Sequence, residues 1–188
     1  MITLIIVDCQ NDFISGTMLV KGAKNALDEI KKFITKNCNN IEKIIFTLDW
    51  HPYNHSSFKK YGGEWPSHCV QHTPGACIEP KLLKLVQSLE MDFEFSLRGE
   101  IEEIEQLGAF SEIEYVQDCL GSRYYFDSIV TADANTNFII CGICNAVSST
   151  ISNMLKEDII PKVFMPGIIP NNTAFNEFVE LNKLEKIV

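Results

Sequence analysis

A chain of 188 residues, 46% hydrophobic and 22% charged, has the make-up of one ordinary globular domain over residues 1–188. Its formal net charge of −9 excludes the basic footprint that nucleic acid or an anionic membrane surface requires. No apolar run reaches the ~18 residues of a membrane span, and the N-terminus has no basic signal-peptide leader. The seven cysteines are odd in number and irregularly spaced, which reads as reduced thiols and a cytoplasmic location.

The first element is Ile2–Val7, a continuous apolar run rich in β-branched residues, as in a strand buried on both faces. Ala23–Lys36 carries apolar residues at Ala26, Leu27, Ile30, Phe33 and Ile34, which is helical spacing. Lys43–Leu48 reads as a strand, Pro80–Leu89 as a helix and Asp92–Leu97 as a weaker strand. Tyr124–Ala132 is expected to be a helix and Asn137–Cys141 a strand that stops at Gly142. Ser148–Leu155 is a helix, Lys162–Met165 a strand, Asn172–Leu181 a helix and Glu185–Val188 a terminal strand. The least legible stretch is Glu100–Gly121. Strands alternating with helices imply an α/β fold of three layers, α/β/α, with a mostly parallel central sheet. Ligands of such sheets bind at the carboxyl ends of the strands.

Asp8 stands at the carboxyl end of the first strand, where an acid serves either a site or a turn. All four histidines fall between residues 51 and 72. Asp49 and His51 are two residues apart at a strand end, so their side chains share a face. With His68 and His55 they make a sound ligand set for a divalent transition metal, zinc first and manganese or iron as alternatives. His72 reads as a surface residue. Phe13 and Trp65 are loop aromatics beside these groups, suited either to sandwiching a flat ring or to core packing. Ile140–Thr150 runs from a strand through a turn into a helix, where backbone N–H groups and the helix field favour a nucleophile and an oxyanion. Cys141 and Cys144 form a C-x-x-C pair without the second pair that a zinc ribbon needs.

Four segments together resemble the nicotinamidases of the isochorismatase-like cysteine hydrolase superfamily. They are Val7–Phe13, Asp49-Trp50-His51-Pro52 with His55–Phe58, Trp65–Val70 with Thr73–Ala76, and Cys141–Cys144. The resemblance implies the isochorismatase-like fold and hydrolysis of nicotinamide or a related small aromatic amide to acid and ammonia, a step of pyridine nucleotide metabolism. It implies Asp8 as general base, Asp49, His51 and His68 as metal ligands, and His55 close to the metal. Phe13 and Trp65 would flank a pyridine-like ligand. The Ile143–Cys144 peptide would be cis, with the N–H groups of Cys144 and Ser148 as oxyanion hole.

Two positions depart from the family pattern. Six residues past Gly142, where the family has its cysteine nucleophile, stands Ser148. The triad lysine is replaced by Arg98, in Leu97-Arg98-Gly99, poised to pair with Asp8 through a bidentate bridge. A serine beside an aspartate lacks the activation open to a thiol. The ungapped match therefore leaves open a weak amidohydrolase using Ser148, a catalytically dead metal-containing protein that binds a small ligand, or an isochorismatase-type hydrolase with no cysteine nucleophile. A four-residue deletion in the turn would instead bring Cys144 into the nucleophile position. Homo-oligomer formation is left open.

Overall fold

The computed structural model describes residues 1–110, 114–117, 122–125 and 136–188. Six strands form one sheet in the order β3-β2-β1-β6-β7-β8, every neighbouring pair parallel. They are β1 (Ile2–Val7), β2 (Ile41–Asp49), β3 (Phe93–Arg98), β6 (Asn137–Ile143), β7 (Lys162–Ile169) and β8 (Lys186–Ile187). A separate antiparallel pair joins β4 (Glu114–Gln117) and β5 (Ser122–Tyr125). The helices are α1 (Asn11–Ile14), α2 (Ala23–Asn37), α3 (Pro80–Ser88), α4 (Ala146–Lys156) and α5 (Thr173–Leu181). The three-layer α/β/α architecture expected from the sequence is the one observed. Among the described residues no helix is long and apolar enough to cross a membrane.

β1 is the central strand, and Leu4, Ile5, Ile6 and Val7 are fully buried. Each such side chain stabilises the fold by about 1.5–3 kcal/mol, which is why an unbroken apolar run belongs here. Of the stripe that its spacing announced, α2 buries Ala26, Leu27, Ile30 and Ile34, with Ala23 beside them, while Phe33 is only partly buried. The strand order reverses between β1 and β6, so the carboxyl ends of these two strands flank the crevice at the switch point. Gly142 lets them approach closely: its φ is 148°, and a Cβ there would lie 2.3 Å from the Val7 carbonyl oxygen.

Several sequence expectations need correction. Tyr124 and Tyr125 lie in strand β5 rather than at the start of a helix, and residues 126–132 of that expected helix lie outside the described residues. β7 continues past Met165 to Ile169. Pro166 cannot donate to a ladder, but the pairing with β6 shifts register between Ile140 and Gly142 and resumes at Ile168, so the strand passes the proline at an irregularity. The Ile143–Cys144 peptide is trans; among the described residues the cis bond is Ile169–Pro170.

Candidate active site

Asp8, Asp49 and Arg98 come from the carboxyl ends of three adjacent strands, β1, β2 and β3, and the register pairs Asp49 directly with Arg98. All three are buried, and Arg98 is only 1% exposed. Arg98 does not clasp Asp8 alone in the bidentate bridge expected. It spans both acids: Nη2 donates to Asp8 Oδ1, while Nε and Nη2 reach Asp49 Oδ1 at 3.0 and 2.7 Å. Nη1 donates to the Leu107 carbonyl at 3.3 Å. One oxygen of each carboxylate is thereby occupied. Asp8 Oδ2 is left buried with no hydrogen-bond partner.

These contacts set the protonation of the pair. Burial raises the Asp8 carboxyl well above the ordinary carboxylate range, and Arg98 offsets this only in part. Burial acts the same way on Asp49, but Arg98, His51 and His68 outweigh it and hold that carboxyl far below the usual range. One guanidinium between two buried acids thus leaves Asp49 ionised and Asp8 the proton carrier.

The metal-type cluster is built from β2 and the loop behind it. His51 Nδ1–H donates to the Gly99 carbonyl at 3.1 Å, and His68 Nδ1–H to the Pro66 carbonyl at 2.8 Å. A carbonyl only accepts, so each ring is held through Nδ1–H with Nε2 turned toward Asp49, in the orientation that metal-ligating histidines adopt. Those Nε2 atoms lie 3.6 and 3.5 Å from Asp49 Oδ2. Ligands about 2.0–2.1 Å from a tetrahedral zinc sit about 3.4 Å from each other, so the donor set fits such an ion. Among the described residues this is the cluster that could hold a metal.

His55 is not part of it. Its Nδ1 accepts from the Ser57 hydroxyl and amide, and its Nε2–H donates to the Ile104 carbonyl, so neither nitrogen is free. Burial and the neighbouring His51 lower its pKa, and its ring lies 4.3 Å from that of His51, tilted by 33°. His55 is a support, contrary to the ligand role the sequence suggested.

Several supporting residues went unnoticed in the sequence. Gln10 clamps the Asp49 backbone, accepting from its N–H at 2.8 Å and donating to its carbonyl at 2.7 Å. Asp12 accepts from the Cys69 amide at 2.7 Å, pinning the residue after His68. His51 and Cys69 are joined at 3.0 Å, which ties the segments carrying the two histidines. Residues 104–107, from the illegible stretch, close over His55 and Arg98. The only available sequence signal was a polar residue near each motif, which does not distinguish these from surface groups.

Gly99 is required twice, by a φ of 68° and because a Cβ would lie 2.3 Å from the His51 ring. Gly99→Ala is expected to displace His51 and weaken metal binding by about 10–100-fold, as loss of a ligand's support does elsewhere. Calorimetric titration with zinc checks this. Metal binding should also depend on pH. Burial lowers the His68 pKa, but the Asp49 carboxylate and the Pro66 carbonyl outweigh it and lift it above the ordinary histidine value. In the metal-free protein a proton therefore competes for His68 Nε2 as pH falls through that raised pKa. Zinc affinity should drop by roughly ten-fold or more between pH 8 and pH 6. A flat profile would contradict this arrangement.

A cavity of about 560 Å3 opens above the strand ends. Asp8, Asp49, His51, His68 and Arg98 form its polar side, with Phe13 and Trp65 beside them. Cys144 also lines it, at the turn between β6 and α4, with a φ of 72° that places it sharply between strand and helix. Asn145 and Ala146, where α4 opens without a side-chain cap, follow it along the wall. Ser148 does not line this cavity. It sits one helical turn farther on, beside a different cleft, with its hydroxyl donating to the Asn145 carbonyl at 2.8 Å. The nucleophile and oxyanion roles expected of Ser148 are therefore unsupported by its position, because the turn is too short to bring it back to Asp8. Cys141 points away from the site, into the core beside the Ile5 carbonyl.

Comparison with known proteins agrees with this layout. Residues 3–91 match the isochorismatase domain family. The whole chain superposes on the yeast nicotinamidase bound to the inhibitor nicotinaldehyde, with a TM-score of 0.76, 21% identity, and coverage of 100% of this chain and 99% of that one. The N-terminal half is thus similar in sequence to the isochorismatase domain family, and the fold is that of the superposed nicotinamidase. The Pyrococcus horikoshii pyrazinamidase, solved in complex with zinc, superposes on this chain with a TM-score of 0.72 at 22% identity, covering 99% of this chain and 98% of that one. The nicotinamidase of Escherichia coli is 36% identical over 95 residues, which is 42% of this chain and 45% of that enzyme's length. That match takes in less than half of the curated relative it resembles. The family match contains Asp8, Phe13, Asp49, His51, Trp65 and His68, whereas Arg98, Cys144 and Ser148 lie beyond it.

Proposed function

We propose that the chain is a metal-dependent amidohydrolase that converts nicotinamide, or a related small aromatic amide, to the acid and ammonia. One observation carries the reading: Cys144, Asp8 with its unpartnered Oδ2, Arg98 and the Asp49–His51–His68 cluster all line one cavity. Cys144 is the nucleophile in this scheme, in place of Ser148, and Arg98 occupies the place of the family's lysine.

Burial holds the Cys144 thiol in its protonated form, with Asp8 and Asp49 adding to the effect and Arg98 opposing it. The thiolate is therefore made on demand. Asp8, through Oδ2, takes the thiol proton as sulfur adds to the amide carbonyl carbon. It then returns the proton to the departing nitrogen, and water hydrolyses the thioester with Asp8 as base. The N–H groups that open α4 receive the oxyanion. Phe13 and Trp65 hold the aromatic ring. Asp49, His51 and His68 would hold a divalent ion, zinc first and manganese or iron as alternatives, which supplies a Lewis-acidic position for a ring nitrogen or a water.

The test is ammonia release from nicotinamide by the zinc-loaded protein, followed against pH. Because Asp8 must begin ionised, kcat/KM should fall on the acid side, with a midpoint above the ordinary carboxylate range of about 4. Absence of both turnover and nicotinamide binding would remove this substrate class.

A further inference from the structure

Helix α4 starts on the cavity wall behind Cys144, and its buried face grips a segment that also reaches Arg98. Thr150, fully buried, accepts from the Ala109 amide through Oγ1 at 3.1 Å. One turn farther on, Asn153 Nδ2 donates to the Ala109 carbonyl at 2.9 Å. Both backbone polar groups of Ala109 are thus held by α4. Gly108 brings the backbone directly onto the helix: a Cβ there would lie 2.6 Å from the Ser149 carbonyl carbon and 2.7 Å from the Thr150 nitrogen. Just before it, the Leu107 carbonyl accepts from Arg98 Nη1 at 3.3 Å. A short covalent path therefore joins the helix that follows Cys144 to the guanidinium between the two acids.

We propose that Thr150 and Asn153 are positioning residues that hold the Leu107 carbonyl on Arg98 and so fix the guanidinium across Asp8 and Asp49. Their effect on rate rests on the amidohydrolase reading above. A guanidinium is a rigid planar fork, so the acceptor on one nitrogen sets the direction of the others. With Nη1 on Leu107, Nε and Nη2 on Asp49 Oδ1 and Nη2 also on Asp8 Oδ1, the fork leaves Asp8 Oδ2 open. Release of the Leu107 carbonyl leaves Nη1 a buried donor without an acceptor, which is a costly state. Asp8 Oδ2 is an unpartnered acceptor on a carboxylate that the fork already touches. Turning the fork onto both Asp8 oxygens restores Nη1 in the side-by-side geometry that guanidinium and carboxylate favour. It also occupies the oxygen that takes the Cys144 proton and loosens the grip on Asp49. Phe13 and Trp65, which hold the ring, are untouched, so the loss falls on kcat and not on KM.

The experiment is a double-substitution cycle on the zinc-loaded protein, read by nicotinamide hydrolysis. Thr150→Val keeps the shape of the side chain and removes the acceptor, whereas Thr150→Ser keeps the hydroxyl. Asn153→Ala removes the other half of the grip from a half-buried position, and carries the cycle if Thr150→Val fails to fold. Thr150→Val is expected to lower kcat by at least about ten-fold with KM within about two-fold, and Thr150→Ser to stay within about two-fold of the parent. The deciding comparison is made in Arg98→Lys, whose single nitrogen is no fork to steer. There Thr150→Val should change kcat by less than about two-fold. An unchanged kcat in the parent, equal losses in both backgrounds, or no rescue by serine reduces Thr150 to a packing residue and overturns the proposal. If the parent hydrolyses no amide, calorimetric zinc titration reads the same cycle through the grip on Asp49. A loss of about ten-fold with Thr150→Val that is absent in Arg98→Lys keeps the positioning role while the hydrolase reading fails. Unchanged zinc affinity, equal losses in both backgrounds, or no zinc binding removes both.

Discussion

Cys144→Ala is expected to lower kcat for amide hydrolysis by at least ~10³-fold, while Ser148→Ala leaves it within about two-fold. Both residues follow the same strand and are separated by one turn of helix, yet only Cys144 lines the cavity with Asp8 and Arg98. Ser148 already spends its hydroxyl on a carbonyl of its own helix, and no imidazole stands near enough in the site to activate it. The alanine at 144 keeps the same backbone demand, since cysteine at a φ of 72° is no better suited to that region than alanine. Loss of activity with an unchanged thermal transition would therefore report chemistry rather than folding. The opposite result, with Ser148→Ala inactive and Cys144→Ala active, would restore the ungapped alignment and dismiss the thiol mechanism.

Arg98→Met is the substitution expected to cost the fold most. Arg98 is 1% exposed and is paired with two buried acids, so its removal leaves both without a counter-charge. Breaking a buried charge network by deleting one partner typically costs about 3–5 kcal/mol. Burial already pushes Asp8 toward its protonated form, and that proton absorbs part of the loss, which favours the lower end. Urea unfolding at neutral pH measures the effect; a change below about 0.5 kcal/mol would show that the guanidinium carries no structural charge balance. Arg98→Lys should recover most of the stability, because one ammonium can still lie between the acids. It should not recover the two-point grip on Asp49 Oδ1, and metal affinity should stay about ten-fold below the parent.

Much of the site could be read from local pattern. Asp49 and His51 were paired by the period of an extended strand, and their donor atoms do converge, 3.6 Å apart. Asp8 was placed by the end of a buried run, and it stands at the switch point of the sheet. His55 was misjudged because sequence proximity to His51 puts the rings together without saying where the nitrogens point. Those are taken by Ser57 and by the Ile104 carbonyl, the latter from a stretch that carried no legible signal. Counting from Gly142 singled out Ser148, and a count assumes that the turn keeps its length, whereas the cavity wall is formed by Cys144.

Periodicity, the unbroken apolar runs and the strand–helix alternation by themselves determined the layered parallel fold and the strand ends where ligands gather. Those are short-range properties, dictated by backbone geometry and by the apolar surface that each element must bury. Tertiary structure alone decided that one arginine bridges two acids, that His55 supports and does not ligate, and that Cys144 shares a cavity with Asp8. Each of these depends on the position of a few polar atoms brought together from far apart in the chain, to within a hydrogen-bond length, and residue spacing does not encode distances across the sheet.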